Sequence, residues 1–175
     1  MIKPPESFHR GETLSLVGRY ATPLAAVLIG MGLLFAPQSR SALHVGFCLM
    51  IFSLTLNFAF IPMVAGLSDQ ARGALAKFRA TLNLWINVVL VYLLGRTWPL
   101  VWLLFVLSSS ATAIYGTRER TLINAFFLSA VLGVVNYLHG FNTPLDWAVV
   151  GGKAAFLVLT SLLINDLAQS KKETP

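Results

Sequence analysis

The chain has 175 residues, 56% of them hydrophobic and 11% charged, and a mean hydropathy of +0.72. Soluble domains carry roughly a quarter charged residues, so this composition excludes an ordinary soluble domain and indicates a protein embedded in lipid. The net charge is +6, but the basic residues stand between long apolar runs. That placement is typical of membrane orientation signals and argues against nucleic-acid binding.

Six apolar segments approach the roughly 20 residues that a helix needs to cross the hydrocarbon core. We therefore predict an all-α, polytopic bundle of about six transmembrane helices over residues 20–168, flanked by cytoplasmic tails at 1–19 and 169–175. The predicted helices cover residues 20–37, 44–67, 80–95, 97–115, 122–138 and 145–168.

The second predicted helix is the clearest, because it has no charged residue between Val45 and Leu67. The connection that follows it, residues 68–79, has its apolar residues on roughly one helical face. It is either a short amphipathic helix on the cytoplasmic leaflet or an extension of the third helix. Between the third and fourth helices, Gly95 and Pro99 have the order typical of one helix ending and the next beginning, which predicts an antiparallel hairpin.

The distribution of basic residues predicts the orientation, with both termini in the cytoplasm. This arrangement places only Arg40 and Arg96 in outside loops, while Lys153 lies within the sixth helix. The remaining ten basic residues are then inside, as expected for a multi-pass protein of a cell inner (cytoplasmic) membrane. These ten are Lys3, Arg10, Arg19, Arg72, Lys77, Arg79, Arg118, Arg120, Lys171 and Lys172.

A search for catalytic or metal-binding patterns finds no convincing group. The histidines His44 and His139 both fall at the predicted outer face, where histidines are usually boundary residues. The run 108–110 consists of three serines without a nearby His or Asp, so it is interpreted as a site of close helix packing. We predict no enzymatic activity, no metal and no cofactor.

Lys153 is the charge that stands out. It lies about nine residues after Pro144, roughly 13 Å below the outer surface at 1.5 Å per residue. An ammonium at such a depth costs at least ~2.5 kcal/mol and usually faces the protein interior or a cavity. The alternative is that Lys153 extends outward along Gly151 and Gly152 to the membrane surface. The residues predicted to line a site with it are Asp146, Asn136, Asn87 and His139.

Asparagines at membrane depth form a second polar set. Asn83 and Asn87 are four residues apart and therefore share one face of the third helix. We predict that they form hydrogen bonds with neighbouring helices, because unsatisfied amides in hydrocarbon are costly. The other members of the set are Asn57, Asn124 and Asn136.

Two segments carry a resemblance to a known family. The first runs from Gly152 through Lys153 and a Phe-Leu-rich helix to Gln169, and the second runs from Ser110 to the Gly-basic turn at Gly116–Arg118. They resemble the multi-helix transmembrane sensory domain of bacterial histidine kinases. The 175 residues hold no counterpart of the kinase half, so the resemblance implies an orphan or excised sensor domain without kinase activity.

The sequence thus predicts a non-enzymatic sensory or scaffold domain that binds a ligand or partner helices within the membrane. Its expected partners are membrane lipids and either a partner membrane protein or further copies of itself. One alternative is an accessory structural subunit of a larger respiratory or photosynthetic membrane complex. A small transporter is the third, because a transport path normally needs more buried charge than one lysine.

Overall fold

The computed structural model describes the backbone of residues 7–64 and 68–173, and the side chains of 21–59, 68, 70–114 and 116–170. This part of the chain is helical and contains no strand. The helices are α1 (Ser7–Phe35), α2 (Arg40–Val64), α3 (Asp69–Leu94), α4 (Leu103–Tyr115), α5 (Arg118–Leu138) and α6 (Pro144–Glu173). A short 3₁₀ turn, Pro99–Trp102, leads into α4.

The all-helical prediction is confirmed, and each predicted apolar segment falls largely within a helix. Two helices are longer than the apolar pattern: α1 begins at Ser7 and α6 continues to Glu173, inside the segments interpreted as tails. An apolar run ends where the helix leaves the hydrocarbon core. The backbone hydrogen bonds of the helix can continue beyond that point.

Within the described residues, four helical segments are long and apolar enough to cross a membrane. They are Arg40–Ala59, Gln70–Leu94, Arg118–Leu138 and Pro144–Ser170. Two apolar segments are shorter, Ala21–Phe35 and Pro99–Ile114. The 3₁₀ turn and α4 together rise about 27 Å, which is close to the roughly 30 Å of a hydrocarbon core.

The connection 68–79 belongs to α3, which runs without a break from Asp69. The side chain of Ser68 caps this helix by accepting a hydrogen bond from the backbone N–H of Ala71 at 3.4 Å. Of the two readings of this connection, the structure therefore shows the helix extension. Thr117 caps α5 in the same way, accepting from the N–H of Arg120.

The turn between α3 and α4 is formed as the sequence predicts. Gly95 follows the last residue of α3 and donates its N–H to the carbonyl of Val91, and Pro99 opens the 3₁₀ turn. The two helices fold back on each other, but α4 packs more extensively on α5 and α6 than on α3. The hairpin is therefore one part of a larger packing unit.

The core lies among α3, α4, α5 and α6, with a contribution from α1. Its fully buried side chains include Leu90, Leu94, Leu104, Phe105 and Leu128. In the described part of α2, no apolar side chain is buried, so this helix lies at the periphery. Large apolar side chains are exposed on every helix except the described part of α4, which suits a bundle surrounded by lipid and would be unusual for a monomer in water.

Three connections lie at the same end of the bundle. Gln38, between α1 and α2, donates a hydrogen bond to the hydroxyl of Thr97, between α3 and α4. His139, at the end of α5, is hydrogen-bonded to the carbonyl of Tyr92, near the end of α3. The Lys153 cavity described below lies towards this end, and the turn between α4 and α5 lies at the other.

Candidate ligand site at Lys153

A small cavity lies where the end of α3, the 3₁₀ turn, the end of α5 and the third turn of α6 meet. Its volume is about 50 Å³, and it is partly open to the surface. Most of its wall is apolar, and three of the polar residues in it were predicted site residues. The lining residues are Val91, Gly95, Pro99, Val101, Trp102, Leu132, Val135, Asn136, His139, Phe141, Val150 and Lys153.

Lys153 lines this cavity from α6 and is half-buried. The Cα–Cβ bonds of a helix tilt towards its N-terminus, so the lysine side chain leans towards the end of the bundle where α6 begins. Its ammonium nitrogen lies 5.9 Å from the centroid of the Trp102 ring. This distance is within the range of a cation–π contact. No hydrogen bond or ion pair from the described residues reaches the ammonium, so its charge is stabilised within the protein mainly by this aromatic face.

The Trp102 ring is itself held in place by a second aromatic contact. Its centroid lies 5.8 Å from that of Phe156, with the ring planes at 83°, an edge-to-face arrangement. Because Phe156 is three residues beyond Lys153, one face of α6 supplies both the cation and the ring that supports its aromatic partner. This placement limits the movement of Trp102 beneath the ammonium.

Asn136 and His139 also line the cavity, and one polar atom of each is hydrogen-bonded to a backbone carbonyl. The amide nitrogen of Asn136 donates to the carbonyl of Phe141 at 3.0 Å. The Nε2 atom of His139 lies 2.8 Å from the carbonyl of Tyr92. A carbonyl can only accept, so Nε2 carries the proton, and Nδ1 of the neutral ring is an acceptor. The polar atoms that remain are therefore Asn136 Oδ1 and His139 Nδ1.

The other two predicted site residues lie outside the cavity. Asp146 is engaged at the start of α6, where its carboxylate accepts hydrogen bonds from the N–H and the hydroxyl of Thr143 at 3.0 and 2.6 Å. Asn87 donates to the hydroxyl of Ser108 on α4 at 2.8 Å. The structure therefore brings Asn136 and His139 to the cavity that Lys153 lines, while Asp146 and Asn87 lie at a helix terminus and a helix contact.

The asparagine prediction is confirmed by the packing of α2, α3 and α4. Asn83 donates to Asn57 Oδ1 at 3.1 Å and accepts from the Ser53 hydroxyl at 3.2 Å, which joins α3 to α2. Asn87 joins α3 to α4 through Ser108. Both amides therefore face neighbouring helices, as the cost of an unsatisfied amide in hydrocarbon requires.

A second buried polar site lies at the opposite end of the bundle and was not predicted from the sequence. Asn165 is fully buried on α6 and donates to the carbonyls of Ala113 and Gly116 at 2.7 and 3.0 Å. One turn earlier, Ser161 is hydrogen-bonded to Ser109 on α4 at 2.6 Å. The four-residue spacing of Ser161 and Asn165 places them on one helical face, and this spacing is the sequence signal that could have revealed them.

No protein-family model, no curated protein and no solved structure matches this chain.

Proposed function

We propose that the chain crosses a bacterial cytoplasmic membrane six times, with both termini in the cytoplasm. Four long apolar helices and two shorter ones support six crossings. The concentration of ten of the thirteen basic residues in the segments assigned to the inside supports the orientation. In this arrangement the end that carries the Lys153 cavity faces outward.

Reporter fusions test this topology. Fusions placed after Ser39, Arg96 and Asn142 should give external signals, whereas a fusion after Thr117 should give a cytoplasmic signal. A cytoplasmic signal after Asn142 would contradict six crossings, because it would place the connection between α5 and α6 on the cytoplasmic side.

We also propose that the protein is a non-enzymatic sensory or scaffold domain whose binding site includes Lys153. The observation that carries this proposal is a lysine that lines a cavity, with its ammonium near the Trp102 ring and without a hydrogen bond or ion pair from the described residues. A charge at such depth lowers stability unless something compensates for it. A bound ligand or partner group would supply the missing compensation, and the resemblance to sensory membrane domains is consistent with such a role.

Substitution of Lys153 by methionine tests the site. Methionine keeps most of the side-chain volume and removes the cost of desolvating the charge, so the free energy of unfolding should stay constant or rise. Partner binding, measured by co-purification from membranes in mild detergent, should be lost. Lys77→Met is the matched control, because Lys77 is exposed on the extension of α3. Unchanged co-purification after Lys153→Met would exclude Lys153 from the partner site.

The alternative is an accessory structural subunit of a larger membrane complex, and the position of α2 favours it. This helix is peripheral and exposes Ile51, Phe52 and Phe58, which offers an apolar surface to a neighbouring helix. An accessory subunit should co-purify with its complex in fixed stoichiometry and should keep doing so after Lys153→Met. The sensory or scaffold domain should instead lose its partner in this variant.

A further inference from the structure

The volume of the Lys153 cavity limits what it can hold. A water molecule needs roughly 10–15 Å³ of such space, so a cavity of about 50 Å³ has room for about three to five water-sized groups. Binding sites for drug-sized ligands are larger, about 300–1,000 Å³. The part of a ligand that this partly open cavity encloses is therefore of the order of four non-hydrogen atoms.

The polar atoms of the cavity limit its chemistry. Lys153 provides a cation with three N–H donors. Asn136 Oδ1 and His139 Nδ1 are acceptors whose neighbouring nitrogens are occupied by the carbonyls of Phe141 and Tyr92. A simple halide would accept hydrogen bonds from the ammonium but has no donor for either acceptor. A ligand that uses both the ammonium and one of these acceptors carries one negative charge and at least one O–H.

We propose that this cavity binds a small, singly charged oxyanion that bears a hydroxyl group, of the hydrogencarbonate class. The inference rests on the proposed role of Lys153 as the binding residue. The anionic oxygens accept hydrogen bonds from the ammonium, and the hydroxyl donates to Asn136 or His139. This ligand both accepts and donates hydrogen bonds in the cavity, which distinguishes it from anions that can only accept them.

Gly95 contributes to the shape of the cavity. A Cβ atom at this position would lie 3.3 Å from Cε1 of His139 and 2.4 Å from the carbonyl oxygen of Val91. A side chain there would therefore displace the imidazole or the end of α3. Glycine lets the histidine lie directly against α3, where its Nε2 reaches the carbonyl of Tyr92.

The test uses the full chain, purified and reconstituted in lipid nanodiscs at pH 8, with isothermal titration calorimetry as the readout. Hydrogencarbonate is compared with nitrate, which has the same charge, the same planar shape and the same number of non-hydrogen atoms but no hydroxyl. Hydrogencarbonate should bind with a dissociation constant at least about tenfold lower, the effect of roughly one good hydrogen bond. Chloride provides the comparison with a simple halide.

Variants assign the binding to this cavity. Lys153→Met should abolish hydrogencarbonate binding, and Asn136→Leu should reduce the preference over nitrate, whereas Lys77→Met should change neither. If Lys153→Met does not fold, the comparison of the two anions on the unchanged protein still decides the ligand class. Equal affinity for nitrate and hydrogencarbonate would overturn the requirement for a hydroxyl.

Absence of binding by all three anions to the folded protein would overturn the proposed ligand class. The proposed function fails on a different measurement, which is unchanged partner co-purification after Lys153→Met. A protein that binds none of the anions but loses its partner in this variant would refute the oxyanion proposal alone.

Discussion

Replacement of Asn165 by leucine should loosen the contact between α6 and the end of α4. The amide of Asn165 is fully buried and donates two hydrogen bonds, to Ala113 at 2.7 Å and to Gly116 at 3.0 Å. These carbonyls lie in the last turn of α4 and just beyond it, where helical N–H partners run out. Leucine has the same number and branching of side-chain non-hydrogen atoms but has no donor, so both bonds are lost and no cavity is created.

The magnitude follows from the partners that remain. Interhelical hydrogen bonds in membrane proteins average about 0.6 kcal/mol each, so two contribute about 1.2 kcal/mol. Gly116 keeps a second donor, because Gln169 Nε2 lies 3.2 Å from its carbonyl. Ala113 keeps no side-chain donor among the described residues, and an unsatisfied buried carbonyl costs about 1–3 kcal/mol. Against this, leucine removes Asn165 Oδ1, which is buried without a partner. A net loss of about 1–3 kcal/mol is expected.

Unfolding in mixed micelles with increasing SDS, followed by tryptophan fluorescence, measures this loss. Asn142→Leu is the matched control, because it makes the same exchange at an exposed position between α5 and α6 and should change stability by less than about 0.5 kcal/mol. Equal stabilities of the two variants would refute the argument that Asn165 joins α6 to α4.

Two further substitutions test the packing of single positions. Gly32→Ala should be destabilising by about 1–3 kcal/mol in the same unfolding assay, because its Cβ would lie 2.8 Å from the ring of Trp98. Gly30→Ala on the same helix meets no atom within 4 Å and should be neutral or slightly stabilising, and a similar loss in both variants would contradict the steric explanation. Asn87→Leu removes the hydrogen bond to Ser108 and should cost about 0.6 kcal/mol, and a loss above about 2 kcal/mol would indicate a larger network than this pair.

The sequence allowed the secondary structure of this protein to be predicted because the relevant signals are local. An apolar run of about 20 residues predicts a helix from its own composition, and Gly95 and Pro99 mark a helix boundary from their own backbone preferences. Residues 68–79 were ambiguous for the same reason. Their pattern fits both a separate surface helix and an extension of the third helix. Only the unbroken backbone of α3 shows that they form an extension.

The site was predicted only in part. The expected depth of Lys153 follows from its position along the last apolar segment, and the cost of a charge at that depth marks it as a residue of interest without any knowledge of the fold. Its neighbours depend on how α5 and α6 are rotated about their axes and how far they are shifted along each other. Asp146 lies on the same helix as Lys153 and on roughly the same face. Its carboxylate, however, accepts hydrogen bonds from the N–H and the hydroxyl of Thr143.

By itself, therefore, the sequence determined that this chain is a helical membrane protein with one costly charge near one end of its last helix. The tertiary structure decided which polar groups meet. It brought Asn136 and His139 to Lys153, placed Trp102 beneath the ammonium, and buried Asn165 against the end of α4. Those contacts join residues far apart in the chain, and their energies depend on side-chain geometry across helix interfaces, which hydrophobic periodicity along one helix does not encode.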